Sequence, residues 1–180
     1  MFVKVCGVSD KETIDKAIEL GYDAVGVVLY PPSKRYVPDA EAVKLAEHAK
    51  GRVSTFVVSV LYTEVMKVAG YFDYVQVFEN APVPNLVYAT AEKPEGSKFQ
   101  YLLYDASRGS GKFGEFPAWL TEYRERLIVA GGLNSVNVAK VINDLRPFGV
   151  DVSSGVEKGG KKDYDMMKDF IESVRDNDEF

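Results

Sequence analysis

The order of the apolar segments constrains the fold of this chain more than any other feature of its 180 residues. Short runs rich in β-branched and aromatic residues alternate with amphipathic stretches of helical spacing, and this alternation is typical of a parallel sheet with helical crossovers. Eight parallel strands predict a closed (β/α)8 TIM barrel of the α/β class. The eight strand candidates begin near Phe2, Asp23, Arg52, Asp73, Asn85, Phe99, Arg126 and Phe148.

The chain is shorter than the about 250 residues that are typical of this barrel, so some crossovers must be abbreviated. Only ENAPVPN separates the fourth and fifth runs, and only AEKPEGSK separates the fifth and sixth. A full crossover helix needs more residues, so we predict loops or single turns after strands 4 and 5. A doubly wound open sheet is the alternative, but it needs helices on both faces. We expect residues 1–180 to form one catalytic domain.

Composition excludes several classes of function. The formal net charge of −5 offers no broad basic surface for nucleic acid. Cys6 is the single cysteine, so an internal disulfide framework is excluded. Neither a secretory signal nor a long apolar run is present, and we expect a cytoplasmic protein that does not bind membranes. His48 is the single histidine, in a surface helix pattern, so one chain cannot build a multi-histidine metal site.

Glycine-rich turns follow the last two strand candidates, in IVAGGLNSVNVAK and GVDVSSGVEKGG. The seventh and eighth strand ends of a barrel are neighbours, and backbone N–H groups there commonly bind phosphate. Glycine permits a close approach of the backbone to an anion, and serine hydroxyls add donors. A single such turn would serve equally well as a plain strand-to-helix connection, but two in these positions favour a phosphate site. Its candidate residues are Gly131, Gly132, Ser153, Ser154 and Gly155.

Three further side chains follow strand candidates. Cys6 closes the first, where it is either a small buried hydrophobe or a base whose thiolate is favoured by Lys4. Asp105 closes the sixth, where it either donates a proton or caps the next turn. Arg35, in LYPPSKRYV, is either a plain loop arginine or a bidentate partner for a carboxylate. The segment RGSGKFGEF lacks phosphate-loop spacing and is interpreted as a hinged lid.

Taken in order, these motifs closely resemble the phosphoribosylanthranilate isomerase family of tryptophan biosynthesis. The motifs are VKVCG, DAVGVVLYPPSKRYV, VQV, LLYDASRGSGKF, VAGGLNSVNV and GVDVSSGVEKGGKKD, and the match runs from about Lys4 to Asp163. The chain departs from the family pattern after the fourth strand. The family commonly has VQLHG and a helix there, whereas this chain has VQVFENAPVPN.

The resemblance implies an Amadori rearrangement of N-(5′-phosphoribosyl)anthranilate to 1-(2-carboxyphenylamino)-1-deoxyribulose 5-phosphate without a cofactor or metal. In that family the first-strand cysteine is the general base and the sixth-strand aspartate is the general acid, which match Cys6 and Asp105. Arg35 matches the arginine that contacts the anthranilate, and Asp151 falls where a further substrate contact is expected. The two glycine-rich turns match the phosphate site.

Two alternative functions are another phosphosugar isomerase and a phosphosugar-binding barrel without catalytic activity. A metal-dependent pentose-phosphate epimerase would need histidine ligands that this chain lacks. An indole-glycerol-phosphate synthase is expected to have lysine and glutamate at its strand ends, where this chain has Cys6 and Asp105. The expected partner is a small phosphorylated substrate, and both a monomer and a homodimer are compatible with the sequence.

Overall fold

A computed structural model describes residues 1–96, 98–108 and 115–178 of the chain. Eight parallel strands form a closed barrel in which each strand pairs with the next along the chain and the eighth pairs with the first. The predicted (β/α)8 barrel is therefore confirmed, and every strand starts within two residues of its predicted position. The strands are β1 (Phe2–Cys6), β2 (Ala24–Val28), β3 (Ser54–Val58), β4 (Tyr74–Val77), β5 (Leu86–Thr90), β6 (Tyr101–Asp105), β7 (Leu127–Ala130) and β8 (Gly149–Val152).

Four α-helices follow the first two and the last two strands. The Asp10 carboxylate accepts from the Thr13 N–H at 2.7 Å at the start of the first helix, and Gly21, with φ of 88°, ends it in a left-handed conformation. Asp163 caps the last helix in the same way by accepting from the Met166 N–H at 2.9 Å. The helices are α1 (Lys11–Leu20), α2 (Asp39–Ala49), α3 (Val138–Leu145) and α4 (Tyr164–Asn177).

The crossovers after the four middle strands are abbreviated. Loops and turns follow β4 and β5, as predicted, over residues 78–85 and the described part of 91–100. The amphipathic stretch TEVMKVAGYF predicts a crossover helix after β3. This prediction is wrong, because the stretch forms two short 3₁₀ helices, Tyr62–Glu64 and Ala69–Tyr71. The Glu64 carboxylate accepts from the Ser59 hydroxyl and the Leu61 N–H at 2.5 and 3.0 Å, which closes a tight turn where a longer helix would begin.

After β6 the chain forms 3₁₀ helices at Ala106–Arg108 and Ala118–Arg126. The segment interpreted as a lid lies mostly in 109–114, outside the described residues. Beyond β8 a small antiparallel hairpin precedes α4, with strands β9 (Glu157–Lys158) and β10 (Lys161–Lys162). Two glycines with positive φ, Gly159 and Gly160, make its turn.

Apolar side chains fill two layers, one between the strands and their outer cover and one inside the barrel. Aromatic rings close the inner layer at the N-terminal ends of the strands, where Phe2 and Phe148 stack with ring centroids 5.2 Å apart and Phe56 lies 4.7 Å from Tyr74. Aromatic side chains therefore fill this end of the barrel interior, and a ligand must enter from the opposite end.

The outer surface carries the single histidine. His48 lies partly exposed on α2, and its Nε2 is 2.8 Å from the Asp15 carboxylate on α1. The predicted position on a surface helix is confirmed. Among the described residues, no group of histidine, cysteine and acidic side chains is arranged to hold a metal ion. Of the helices in the described part of the chain, none combines the length and apolar character that a membrane span needs.

Candidate active site

The strands β6, β7, β8 and β1 are consecutive around the barrel. Their C-terminal ends therefore place the residues predicted from the sequence along one arc of the open rim. Cys6 is the last residue of β1, Asp105 is the last residue of β6, and Asp151 lies in β8. The glycine-rich turns follow β7 and β8 directly. Arg35 joins this group from the loop after β2.

The Cys6 side chain faces the inside of the barrel and is only 8% exposed. It belongs to the inner apolar layer, whereas Val3 and Val5 belong to the outer layer, as strand alternation predicts. Gly26, on the neighbouring strand β2, makes room for this side chain. A Cβ atom at Gly26 would lie 2.9 Å from the Cys6 Sγ and 3.1 Å from the Lys4 Nζ. The sulfur and the ammonium group therefore occupy adjoining space over this glycine.

Lys4 is completely buried and forms an ion pair with Asp151, with 3.0 Å between its Nζ and Oδ1 of the carboxylate. The two residues are register partners on β1 and β8, which fixes the pair across the barrel wall. The Phe56 ring centroid lies 5.1 Å from the ammonium nitrogen and adds a cation–π contact. Burial by itself would lower the pKa of Lys4, but the Asp151 carboxylate and the Cys6 sulfur outweigh it and the pKa is raised. Lys4 is therefore a permanent cation beside the thiol.

Burial is the largest influence on the Cys6 thiol and raises its pKa above the ordinary value. The positive charges of Lys4 and Lys162 oppose this effect, and the negative charge of Asp151 adds to it. Burial likewise raises the pKa of Asp151, while the Lys4 ammonium opposes the rise. The free site therefore holds most of its Cys6 as the thiol at neutral pH, next to a cation that attracts the thiolate when it forms.

The Asp105 carboxylate is oriented by its own loop. Its Oδ1 accepts hydrogen bonds from the Ser107 N–H at 3.0 Å and from the Ser107 hydroxyl at 2.6 Å. Gly131, with φ of 89°, lies against it, and a Cβ atom there would collide with the carboxylate oxygen and with the backbone N–H groups of residues 106 and 107. The negative charge of Asp105 also acts on Asp151 and contributes to its raised pKa.

The two glycine-rich turns pack against each other. A Cβ atom at Gly155 would overlap the carbonyl oxygen of Leu133, so only glycine permits this contact between the turn after β8 and the turn after β7. Gly132 has φ of 71°, a left-handed conformation that glycine adopts without strain. The Ser153 hydroxyl donates to the Cys6 carbonyl at 3.1 Å, which ties the predicted phosphate turn to the end of β1. Ser154 begins a single 3₁₀ turn, Ser154–Val156.

Arg35 lies over Gly7, the residue after the cysteine. Gly7 has φ of 83°, and a Cβ atom there would overlap the Arg35 side chain. The guanidinium binds Glu157 through its Nε at 2.7 Å and its Nη2 at 2.6 Å. Glu157 uses only the edge of the planar fork that carries Nε and Nη2. Arg35 is therefore positioned rather than a mobile loop side chain.

Sequence reasoning missed Glu157 and Lys162, which lie on the β9–β10 hairpin. The Lys162 Nζ lies 3.0 Å from Oε1 of Glu157, the same oxygen that binds Arg35, and 3.1 Å from the Ser153 carbonyl. Burial would raise the pKa of Glu157, but the positive charges of Lys162 and Arg35 outweigh it and the pKa is lowered. The motif GVEKGGKKD contains both residues, but only the folded hairpin shows that their side chains turn inward.

Gln76 is another residue that the sequence did not single out. It lies on the inner face of β4, because its neighbours Val75 and Val77 belong to the outer layer. The side chain is 4% exposed, and its Oε1 has no hydrogen-bond partner among the described residues. A buried carbonyl of this kind is an acceptor that a bound molecule or water can satisfy.

A family model described as N-(5′-phosphoribosyl)anthranilate (PRA) isomerase matches residues 89–173. The N-(5′-phosphoribosyl)anthranilate isomerase of Streptococcus pneumoniae strain JJA is 37% identical over 96% of this chain and 95% of its own length. The crystal structure of phosphoribosyl anthranilate isomerase from Thermotoga maritima superposes with a TM-score of 0.80 and 32% identity, covering 98% of this chain and 99% of that one.

Two other solved structures are also similar. TrpF from Jonesia denitrificans has a TM-score of 0.84 and 28% identity, with 98% of each chain covered. A phosphoribosyl anthranilate isomerase in complex with reduced 1-(o-carboxyphenylamino)-1-deoxyribulose 5-phosphate has a TM-score of 0.78 and 32% identity, covering 98% of this chain and 99% of that one. Similarity therefore extends over nearly the whole chain, in both sequence and fold.

Proposed function

The chain belongs to the N-(5′-phosphoribosyl)anthranilate isomerase family, and we propose that Cys6 and Asp105 catalyse its reaction as base and acid. It is an isomerase of tryptophan biosynthesis that converts N-(5′-phosphoribosyl)anthranilate to 1-(2-carboxyphenylamino)-1-deoxyribulose 5-phosphate. One observation carries the assignment of the base. Cys6 ends a barrel strand at the open rim, beside the buried Lys4 cation that favours its thiolate.

The reaction begins at the ribose ring. Asp105 donates a proton to the ring oxygen, and the bond between C1′ and that oxygen breaks as the anthranilate nitrogen forms an iminium ion. The Cys6 thiolate then removes the C2′ proton, whose bonding electrons neutralise the iminium and give an enolamine. Tautomerisation of the enolamine yields the ketose. No atom is gained or lost, because the reaction breaks one C–O bond and otherwise moves only protons.

The raised pKa of Cys6 suits this role. A thiolate that forms in a buried site is a stronger base than one in water, and the neighbouring iminium makes the C2′ proton more acidic. Lys4 cannot lose its charge easily, because Asp151 stabilises it at 3.0 Å. The cation therefore remains in place while the sulfur cycles between thiolate and thiol.

The substrate's two anionic ends fit two separate regions. The phosphate is assigned to the backbone N–H groups around Gly131, Gly132, Ser154 and Gly155, with Ser153 holding the turn in place. The anthranilate carboxylate is assigned to the remaining edge of the Arg35 guanidinium, which Glu157 orients. Asp151 is assigned a contact with the sugar, since it lies on β8 just before the second glycine-rich turn and pairs with Lys4.

This base works only as a free thiol, so we also infer a cytoplasmic location, where thiols stay reduced. The direct test follows the loss of phosphoribosylanthranilate fluorescence with purified protein in the presence of a chelator. We expect turnover that the chelator does not change. Binding of a phosphosugar without turnover would instead indicate a non-catalytic barrel, and inhibition by the chelator would indicate a metal-dependent reaction.

A further inference from the structure

We infer that Lys162 is a positioning residue that stabilises the Cys6 thiolate from the hairpin side and holds the phosphate turn against it. This inference rests on the proposed role of Cys6 as the base. It adds a second cation to Lys4, which the sequence had already suggested, and it assigns a function to the β9–β10 hairpin beyond β8.

The Lys162 side chain is only 5% exposed although it belongs to a short surface hairpin. Its ammonium group donates to the Ser153 carbonyl at 3.1 Å and approaches the Ser153 hydroxyl at 3.4 Å. That hydroxyl donates in turn to the Cys6 carbonyl at 3.1 Å. Lys162 is therefore separated from the backbone of the proposed base by a single residue. A lysine that only served solubility would extend into water.

The charges around Cys6 explain why this lysine matters. Lys4 and Asp151 form a neutral pair on the barrel wall. On the other side, Lys162 and Arg35 both bind Oε1 of Glu157. Two cations share one carboxylate there, so these three groups together carry a net positive charge, and the charge of Lys162 acts on the Cys6 thiol. Asp105 completes the set of charged groups from its position on β6. The net positive charge of Lys162, Arg35 and Glu157 lowers the cost of forming a thiolate, and the negative charge of Asp105 opposes this effect.

Burial lowers the pKa of Lys162, although Glu157 and the Cys6 sulfur oppose this effect. The lysine and the thiol thus influence each other in both directions: each is easier to charge when the other is charged. Glu157 weakens the positive field because it shares a hydrogen bond with each cation. Removing Lys162 and removing the charge of Glu157 must therefore shift the thiol pKa in opposite directions. A general disturbance of the site would not shift the thiol pKa in opposite directions in the two variants.

Alkylation measures the thiol pKa directly, since Cys6 is the single cysteine of the chain. We would follow iodoacetamide labelling from about pH 6 to pH 10 in the unchanged protein, in Lys162→Met and in Lys162→Arg, with Cys6→Ser as the blank. Lys162→Met should raise the thiol pKa and slow labelling about tenfold at pH values below that pKa. Lys162→Arg should largely restore the original profile.

Two further variants provide a control and a change that should shift the thiol pKa in the opposite direction. Lys161→Met removes the neighbouring exposed lysine and should leave the labelling profile unchanged. Glu157→Gln should lower the thiol pKa and speed labelling at neutral pH. This variant also tests the inference if Lys162→Met fails to fold, because a glutamine keeps the volume of the side chain.

Superimposable labelling profiles for Lys162→Met and the unchanged protein would overturn the inference. If inorganic phosphate also inhibits Lys162→Met more weakly than the unchanged protein, Lys162 is a phosphate ligand instead. If Cys6→Ser keeps full turnover, the proposed base itself is wrong. That result is distinguishable from failure of the lysine's role, because the labelling shifts do not depend on turnover.

Discussion

The two halves of this barrel are built differently. Strands β7, β8, β1 and β2 are each followed by an α-helix, whereas β3 to β6 are followed by 3₁₀ helices, turns and loops. The outward-facing Val77 and Leu86 of the second half are nevertheless fully buried. Short turns therefore cover the outer layer of the sheet as completely as helices do. A closed sheet needs continuous strand pairing, but it does not need a full helix after every strand.

The proposed site lies mostly on the helix-backed half. Cys6, Asp151, Arg35 and the two glycine-rich turns belong to it, and Asp105 alone comes from a strand with an abbreviated crossover. Helices brace the strand ends that must hold a base, a buried ion pair and a phosphate in fixed geometry. The other half supplies one carboxylate, and Ser107 of its own loop orients that group. The abbreviated crossovers therefore lie in the half that supplies fewer residues to the proposed site.

The largest expected effect is on kcat. It tests whether catalysis needs Cys6 from one half and Asp105 from the other equally. Cys6→Ser and Asp105→Asn should each lower kcat by about 10²- to 10⁴-fold, the usual contribution of a general base or acid. Steady-state kinetics would measure this, with inorganic phosphate inhibition as the control for an intact binding site. Unchanged kcat in either variant would remove that residue from the mechanism.

The next effect concerns stability. Lys4→Met leaves the Asp151 carboxylate buried without its partner, and breaking such a pair costs about 3–5 kcal/mol of unfolding free energy. Urea unfolding would measure the loss. The matched change in the other half is Lys93→Met, which removes an exposed pair with Glu122 and should leave the unfolding midpoint nearly unchanged. Equal losses in the two variants would contradict the distinction between the halves.

Two glycines offer a smaller and more local comparison. Gly26→Ala places a methyl group 2.9 Å from the Cys6 sulfur, and overpacking of this kind costs about 1–3 kcal/mol. We expect a lower kcat/KM together with a lower melting temperature. Gly70, in a 3₁₀ helix of the other half, has no atom within 4 Å of such a methyl group. Gly70→Ala should leave both quantities close to those of the unchanged protein, and a loss there would show that the short crossover is tightly constrained.

The smallest effect is the pH dependence of the unchanged enzyme. Because burial raises the Cys6 pKa, the active thiolate is scarce at neutral pH and increases as the pH rises. We therefore expect the rate of iodoacetamide labelling of Cys6 to rise about tenfold per pH unit and to level off above the ordinary thiol pKa of about 8.5. A pH–rate profile in a constant-ionic-strength buffer would check this. A plateau reached already at neutral pH would show that the cations outweigh burial.

The sequence by itself determined the strand order, the four α-helices and the rim positions of the proposed site. The alternation of apolar runs predicted the eight strands, and the helical spacing of the stretches between them predicted the four α-helices. Cys6 and Asp105 could be found because each closes a strand, and parallel strands share one C-terminal edge. The stretch after β3 was misjudged, because its helical spacing was overridden by the tight turn that Glu64 closes.

Only the tertiary structure decided which charges meet. Lys4 and Asp151 are 147 positions apart, and Arg35 and Glu157 are 122 apart, so no local pattern can pair them. These contacts exist because β8 closes onto β1 and the hairpin folds back over the rim. The inward direction of Lys162 and the need for glycine at position 26 arise in the same way. Secondary-structure propensity and hydrophobic patterning act over a few residues. Electrostatic interactions and side-chain packing depend on distances between remote residues, which only barrel closure sets.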